Sequence, residues 1–178
     1  MLAQAGLFLL EALTGFLTMV LLLRFYMQAF RVSFNNQVGT FVVECSNWLV
    51  RPLRKVLPGF LGLDLASLLP AYLLQLVFLL ALVLVSGSDS WLAQNLLLFL
   101  VWRGLLALVK LSIYLLIGAL VLQAVLSWVS PYSPLSQPLL QLTRPFLRPI
   151  QRWLPPIGAV DLSPLIVIVL AQLVLIFL

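Results

Sequence analysis

The chain reads as an all-α integral membrane protein. Four transmembrane helices are expected, forming two parallel helical-hairpin repeats, each with a basic interfacial segment between its spans. Three observations carry this. The sequence is 63% hydrophobic and only 8% charged, where soluble domains carry about a quarter charged residues. Several apolar runs reach the roughly 20 residues that a helix needs to cross a hydrocarbon core. The chain also repeats itself: RPLRKVLPGFLGLDLASLLPAYLLQ at 51–75 returns as RPIQRWLPPIGAVDLSPLIVIVLAQ at 148–172. In that overlay Arg51 falls on Arg148, Lys55 on Arg152, Asp64 on Asp161 and Gln75 on Gln172.

The first repeat is assigned to residues 1–86. Its first span covers 5–30 and ends among Arg24, Arg31, Ser33 and Asn35. No Lys or Arg precedes this run, so it reads as a retained span and not a cleaved signal peptide, whose positive charge comes first. An interfacial segment at 38–57 follows, then a span at 66–85. The second repeat, 87–178, opens with a long apolar stretch at 91–129, which is either one long helix or two spans turning near Arg103–Lys110. An interfacial segment at 137–154 and a span at 164–178 complete it. That last span is short for a bilayer, which suggests a longer natural chain.

Charge decides the topology. With four spans, Arg31, Arg51, Arg54, Lys55, Arg144, Arg148 and Arg152 share one side, and the N-terminus, the loop at 86–90 and the C-terminus carry no Lys or Arg. The positive-inside rule assigns the basic side to the cytoplasm. A fifth span would split the two basic segments across the membrane. The expectation is therefore parallel repeats with both termini periplasmic.

In the first basic segment Glu44, Asn47, Arg51, Arg54 and Lys55 recur at helical spacing opposite Phe41, Cys45, Trp48, Leu49 and Leu53. The second repeats this with Gln141, Arg144, Arg148, Gln151 and Arg152 opposite Leu142, Phe146, Ile150 and Trp153. A basic stripe opposite Leu, Phe and Trp fits a helix lying in the interface. Pro52, Pro145 and Pro149 predict breaks in these helices. The six basic residues Arg51, Arg54, Lys55, Arg144, Arg148 and Arg152 read either as topological anchors on anionic lipid or as a docking surface for a protein partner. Nucleic acid is not expected, because these side chains lie in the headgroup plane.

Asp64 and Asp161 each open a span. Both fit helix capping, with Ser163 as an N-cap before Pro164, and both could grip arginines of the preceding segment. Within the spans, Glu11, Arg103 and Lys110 are isolated charges, which are costly in a bilayer unless paired or facing a cavity. Taking Gln28 and Gln123 as equivalent depths, Glu11 lies about 25 Å up a straight helix, Lys110 about 20 Å and Arg103 about 30 Å. A Glu11–Lys110 pair, with Arg103 as alternate partner, is one expectation; all three snorkelling to the outer interface is the other. Gln75 and Gln172 are expected to hydrogen-bond between helices. With one cysteine, Cys45, and no histidine, no disulfide within the chain and no His/Cys metal site can form, and no cofactor is implied. An enzyme is not expected, since a hydrolase needs a nucleophile with a positioned base.

The stretches Leu22-Leu23-Arg24-Phe25-Tyr26-Met27-Gln28, Arg51-Pro-Leu-Arg-Lys-Val-Leu-Pro, Ser127-Trp-Val-Ser-Pro, Arg144-Pro-Phe-Leu-Arg-Pro-Ile-Gln-Arg-Trp-Leu-Pro-Pro and Asp161-Leu-Ser-Pro together resemble the YGGT family. The match covers almost the whole chain as two copies of that family's repeat, like its two-repeat members in bacterial inner membranes. The first copy departs from the Asp-x-Ser-Pro pattern, having Ala66 and Ser67. The resemblance implies a multi-pass inner-membrane protein of a family without an established biochemical activity. Its relatives are linked to osmotic or potassium stress, to division-site or envelope machinery and, in plastids, to cytochrome assembly or nucleoid distribution. That spread favours an assembly or organising factor whose partners are anionic lipids and other membrane proteins, with a homo-oligomer left open. The alternative is an ion channel or transporter subunit, or a regulator of ion homeostasis.

Overall fold

The computed structural model describes residues 2–56, 64–86, 95–130, 133–153 and 161–178. Among them are six helices and no strand: α1 (Leu2–Ala29), α2 (Gln37–Val56), α3 (Leu65–Ser86), α4 (Leu96–Val129), α5 (Ser136–Trp153) and α6 (Ser163–Phe177). The glycine loops at 57–63 and 154–160 and the connection at 87–94 lie outside the described residues.

Two kinds of helix occur. α1, α3, α4 and α6 are apolar on nearly every face, whereas α2 and α5 are strongly amphipathic. Three of the apolar helices, α1, α3 and α4, are long and apolar enough to cross a membrane; α6 is apolar but has only 15 residues. Large apolar side chains such as Phe8, Leu84, Leu97, Trp128 and Ile176 stand exposed along these helices. A water-soluble chain would not leave so much apolar surface uncovered, so the apolar helices point to a membrane-embedded protein.

The ambiguous stretch around Arg103 is settled within the described residues: Leu96–Val129 is one helix of 34 residues, about 51 Å long. Gly104 makes no turn there. It lies where α4 crosses α3, and a Cβ at that position would come within 2.9 Å of both Leu76 Cδ2 and Tyr72 Cε2. The Tyr72 hydroxyl donates to the Val101 carbonyl at 3.2 Å beside this crossing.

The proline expectation is corrected. α2 continues through Pro52, and α5 continues through Pro145 and Pro149. All three prolines lie on exposed faces. The carbonyls they leave without an N–H partner therefore also face outward, where the surroundings can supply a donor, so the helices persist.

α1, α2 and α3 pack against one another, and α4, α5 and α6 do the same. α4 then joins the two triplets through α3 and α1. Val20, Met27, Val42, Ala119 and Leu142 share one core that bridges the triplets. Leu21, Leu22, Val50, Ala71 and Leu108 form a second beneath α2 and α3. Leu120, Leu147 and Val167 form a third, confined to α4, α5 and α6.

Candidate functional site

The polar chemistry of the first triplet gathers where α1, α2 and α3 meet. Asp64 precedes α3, and its carbonyl accepts the amides of Ser67 (2.9 Å) and Leu68 (3.2 Å), so it holds the N-cap position. Its carboxylate is buried, at 2% exposure. Oδ2 accepts the Ser67 hydroxyl at 2.7 Å and pairs with Arg54 Nη2 at 2.5 Å. Arg54 Nη2 also donates to Gln28 Oε1 at 3.0 Å. One carboxylate thereby caps α3 and ties it to the end of α2, and Arg54 carries the link on to α1.

Arg24 is the second member of the cluster. It is only 4% exposed, although it sits in an otherwise apolar helix. Nη1 donates to Ser46 Oγ at 2.6 Å and Nη2 to Asn47 Oδ1 at 3.4 Å. The Ser46 hydroxyl in turn donates to the Val42 carbonyl at 2.5 Å. Nε lies 4.0 Å from Asp64 Oδ2 and makes no hydrogen bond. A buried guanidinium is tolerated only with such partners. Higher in the same triplet, Gln75 Nε2 donates to Thr18 Oγ1 at 3.0 Å and joins α3 to α1.

The second triplet keeps the frame and loses the two arginines of the cluster. Ala119 stands where the first repeat has Arg24, and Gln151 where it has Arg54. Thr143, the counterpart of Ser46, donates to Gln123 Oε1 at 2.6 Å. Gln151 Nε2 donates to Asp161 Oδ2 at 2.9 Å, and Oδ1 accepts the Ser163 amide, also at 2.9 Å. Asp161 is exposed. Partial burial pushes its carboxyl up, but the hydrogen bonds from Ser163 and Gln151 outweigh this and hold it below the usual carboxylate range.

Several expectations change. Ser163 is not the N-cap: Leu162 is, Ser163 is the first helical residue, and its buried hydroxyl has no hydrogen-bond partner. Asp161 takes the capping role instead, through the Ser163 amide. Glu11 and Lys110 are not joined, since both salt bridges among the described residues belong to Asp64. Glu11 is exposed, and Arg103 lies over the Phe99 ring of its own helix at 5.7 Å. Lys110 is half-buried, and Arg103, like Glu11, is exposed. Gln172 is exposed and makes no interhelical bond, unlike Gln75. Arg51, Lys55, Arg144, Arg148 and Arg152 are exposed on α2 and α5, whereas Arg54, also on α2, turns its guanidinium to the buried Asp64.

Arg24, Ser46, Asn47 and Gln28 were not among the expected site residues. Arg24 reads in sequence as one of the charges near the end of the first span, and α1 runs past it to Ala29 as the span at 5–30 implies. The available signal was the spacing of Arg24 and Gln28, one turn apart on a single face.

The family described as CCB3/YggT matches residues 3–85 and 102–178, two segments that fit a two-repeat layout. "Uncharacterized protein YggT" of Escherichia coli strain K12 is 40% identical over 169 residues, 94% of this chain and 85% of its own length. A Vibrio alginolyticus protein, "Uncharacterized protein in proC 3'region", is 38% identical over 165 residues, 91% of this chain and 86% of its own. A Haemophilus influenzae protein is 34% identical over 167 residues, 93% of this chain and 86% of its own. No solved structure matches.

Proposed function

The chain belongs to the CCB3/YggT family, and from that premise we propose that it is an organising factor of the bacterial inner membrane, one that assembles or positions envelope complexes. In this reading α1, α3, α4 and α6 span the bilayer as two parallel hairpins. α2 and α5 lie along the cytoplasmic face, both termini are periplasmic, and the molecule supports tolerance of osmotic stress.

One observation carries the reading. The basic side chains of α2 and α5 are exposed, while the opposite faces of those helices are fastened to the bundle by Arg24–Ser46, Arg54–Asp64 and Thr143–Gln123. Two rigidly seated helices thus present Arg51 and Lys55, and Arg148 and Arg152, outward. A surface held still by buried hydrogen bonds loses little freedom when a partner binds, and such preorganisation favours docking. Exposed Trp48 and Trp153 add the aromatic anchors that partner interfaces favour.

A photoreactive residue placed at Lys55 and, separately, at Arg152 tests this in living cells. The proposal expects both positions to crosslink the same discrete membrane-protein partner, and the yield to fall when Arg51 and Arg148 are neutralised. Crosslinks to lipid alone would remove the organising role. Selective ion flux through the reconstituted chain, abolished by Gln75→Leu, would favour the channel alternative. Against that alternative stands the Gln75 amide, which is already engaged by Thr18.

A further inference from the structure

The junction between the two triplets holds a second concentration of positive charge, distinct from the Asp64 cluster. Arg31, Arg144 and Arg148, with Phe30, Gln141 and Pro145, line an open cavity of about 490 Å³. Among the described residues no carboxylate pairs with any of these three arginines. Arg144 also borders a neighbouring cavity lined by Asp161, but no salt bridge joins them.

Phe30 also borders a second, apolar cleft of about 270 Å³, lined by Tyr26, Ile113, Leu116, Leu142 and Phe146 among others. The Phe30 and Phe146 rings meet edge-on at 5.9 Å between centroids where the two spaces adjoin. The cleft extends along α4 from Val109 to Leu116, about 10 Å.

The backbone at Arg31 supplies an independent observation. α1 ends in a Schellman turn, with the Val32 amide on the Met27 carbonyl at 2.8 Å and the Arg31 amide on the Gln28 carbonyl at 3.1 Å. The left-handed residue of that turn is ordinarily glycine. Here it is Arg31, with φ 55°, the one non-glycine residue of positive φ among those described. A long cationic side chain therefore occupies a strained position on the rim of a cavity that already holds two arginines. Strain of this kind clusters at functional sites.

We propose that this junction binds one anionic phospholipid. Arg31, Arg144 and Arg148 hold its phosphodiester through charge-assisted hydrogen bonds, and one acyl chain lies in the cleft between Phe30 and Val109. A zwitterionic lipid brings its own ammonium toward the three guanidiniums and is disfavoured. Free phosphate satisfies the cationic half and leaves the apolar half empty. The inference rests on the membrane reading of the fold; it shares Arg148 with the proposed docking surface, and Arg31→Gly, which leaves that surface intact, tells the two apart.

The test uses the purified full-length chain in detergent and native mass spectrometry, with phosphatidylglycerol, phosphatidylethanolamine and inorganic phosphate as probes. Phosphatidylglycerol is expected to be retained in preference to phosphatidylethanolamine. Its affinity should fall about fivefold for each arginine removed, in Arg31→Gly and again in Arg144→Gln with Arg148→Gln. Arg31→Gly is the decisive variant, because glycine suits the turn and the fold is kept. Ile113→Trp should fill the cleft and weaken lipid retention while leaving any phosphate binding as it was. Arg103→Gln, an exposed cation on α4 that lines neither cavity, should change nothing. Equal retention of both lipids, an Arg103→Gln loss matching that of Arg31→Gly, or displacement of phosphatidylglycerol by millimolar phosphate would each overturn the proposal.

Discussion

Asp64 concentrates the polar chemistry of the first repeat on one carboxylate. It serves the half-exposed Arg54, the buried Arg24 and the Ser67 hydroxyl together. Asp64→Asn should destabilise the folded chain by about 3–5 kcal/mol, the usual cost of leaving a buried charge without its partner. Arg54→Gln should cost less, about 1–3 kcal/mol, because Asp64 keeps the Ser67 hydroxyl and the nearby Arg24. Unfolding in detergent measures both, and similar losses would mean that Arg24 does not depend on Asp64. Asp161 gives a pH prediction. Its carboxyl is held below its ordinary value, so its contribution is complete above about pH 4 and is lost as pH falls through the depressed value. Acid unfolding of the wild-type chain should show this loss, and Asp161→Asn should remove that part of the pH dependence. In the sequence the repeat singles out both aspartates, but not their different fates. Those follow from Arg24 and Arg54, which the second copy replaces with Ala119 and Gln151.

At the scale of elements, two glycines and one arginine fix how helices meet. A Cβ on Gly39 would lie 2.5 Å from the Phe34 Cα and 2.7 Å from its carbonyl carbon, in the link between α1 and α2. On Gly104 it would meet only the ends of Leu76 and Tyr72. Gly39→Ala should therefore be the more damaging, since backbone cannot swing aside. Gly104→Ala should cost about 1–3 kcal/mol, as small overpacking does. Thermal unfolding ranks the two, and the reverse order would contradict these packings. Arg31→Gly should stabilise α1 by about 1 kcal/mol by removing the left-handed strain. A loss of stability would show that the arginine side chain supports the fold itself. The amphipathic character of α2 and α5 was plain from residue spacing, because a polar stripe at helical period is a local property. Their continuity through Pro52, Pro145 and Pro149 was not. It depends on which face of each helix is left uncovered, and only the packed bundle decides that.

At the scale of the molecule, one copy of the triplet is locked by ion pairs to Asp64, and the other by hydrogen bonds without an ion pair among the described residues. The apolar composition and the repeat of Arg-Pro, Leu-Pro and Asp-Leu make the helical, two-copy character legible in the sequence. The inter-triplet junction was not legible. It joins Arg31 from one copy to Arg144 and Arg148 from the other, and no local pattern links them. The central claim is that the two copies present their basic helices on the same membrane face. Cysteine accessibility in intact cells tests it most directly, with Lys55→Cys and Arg152→Cys placed singly in a Cys45→Ser background. A membrane-impermeant thiol reagent should leave both untouched from the periplasm and label both once the inner membrane is opened. Labelling of one from the periplasm and the other only from the cytoplasm would make the repeats antiparallel and contradict the account.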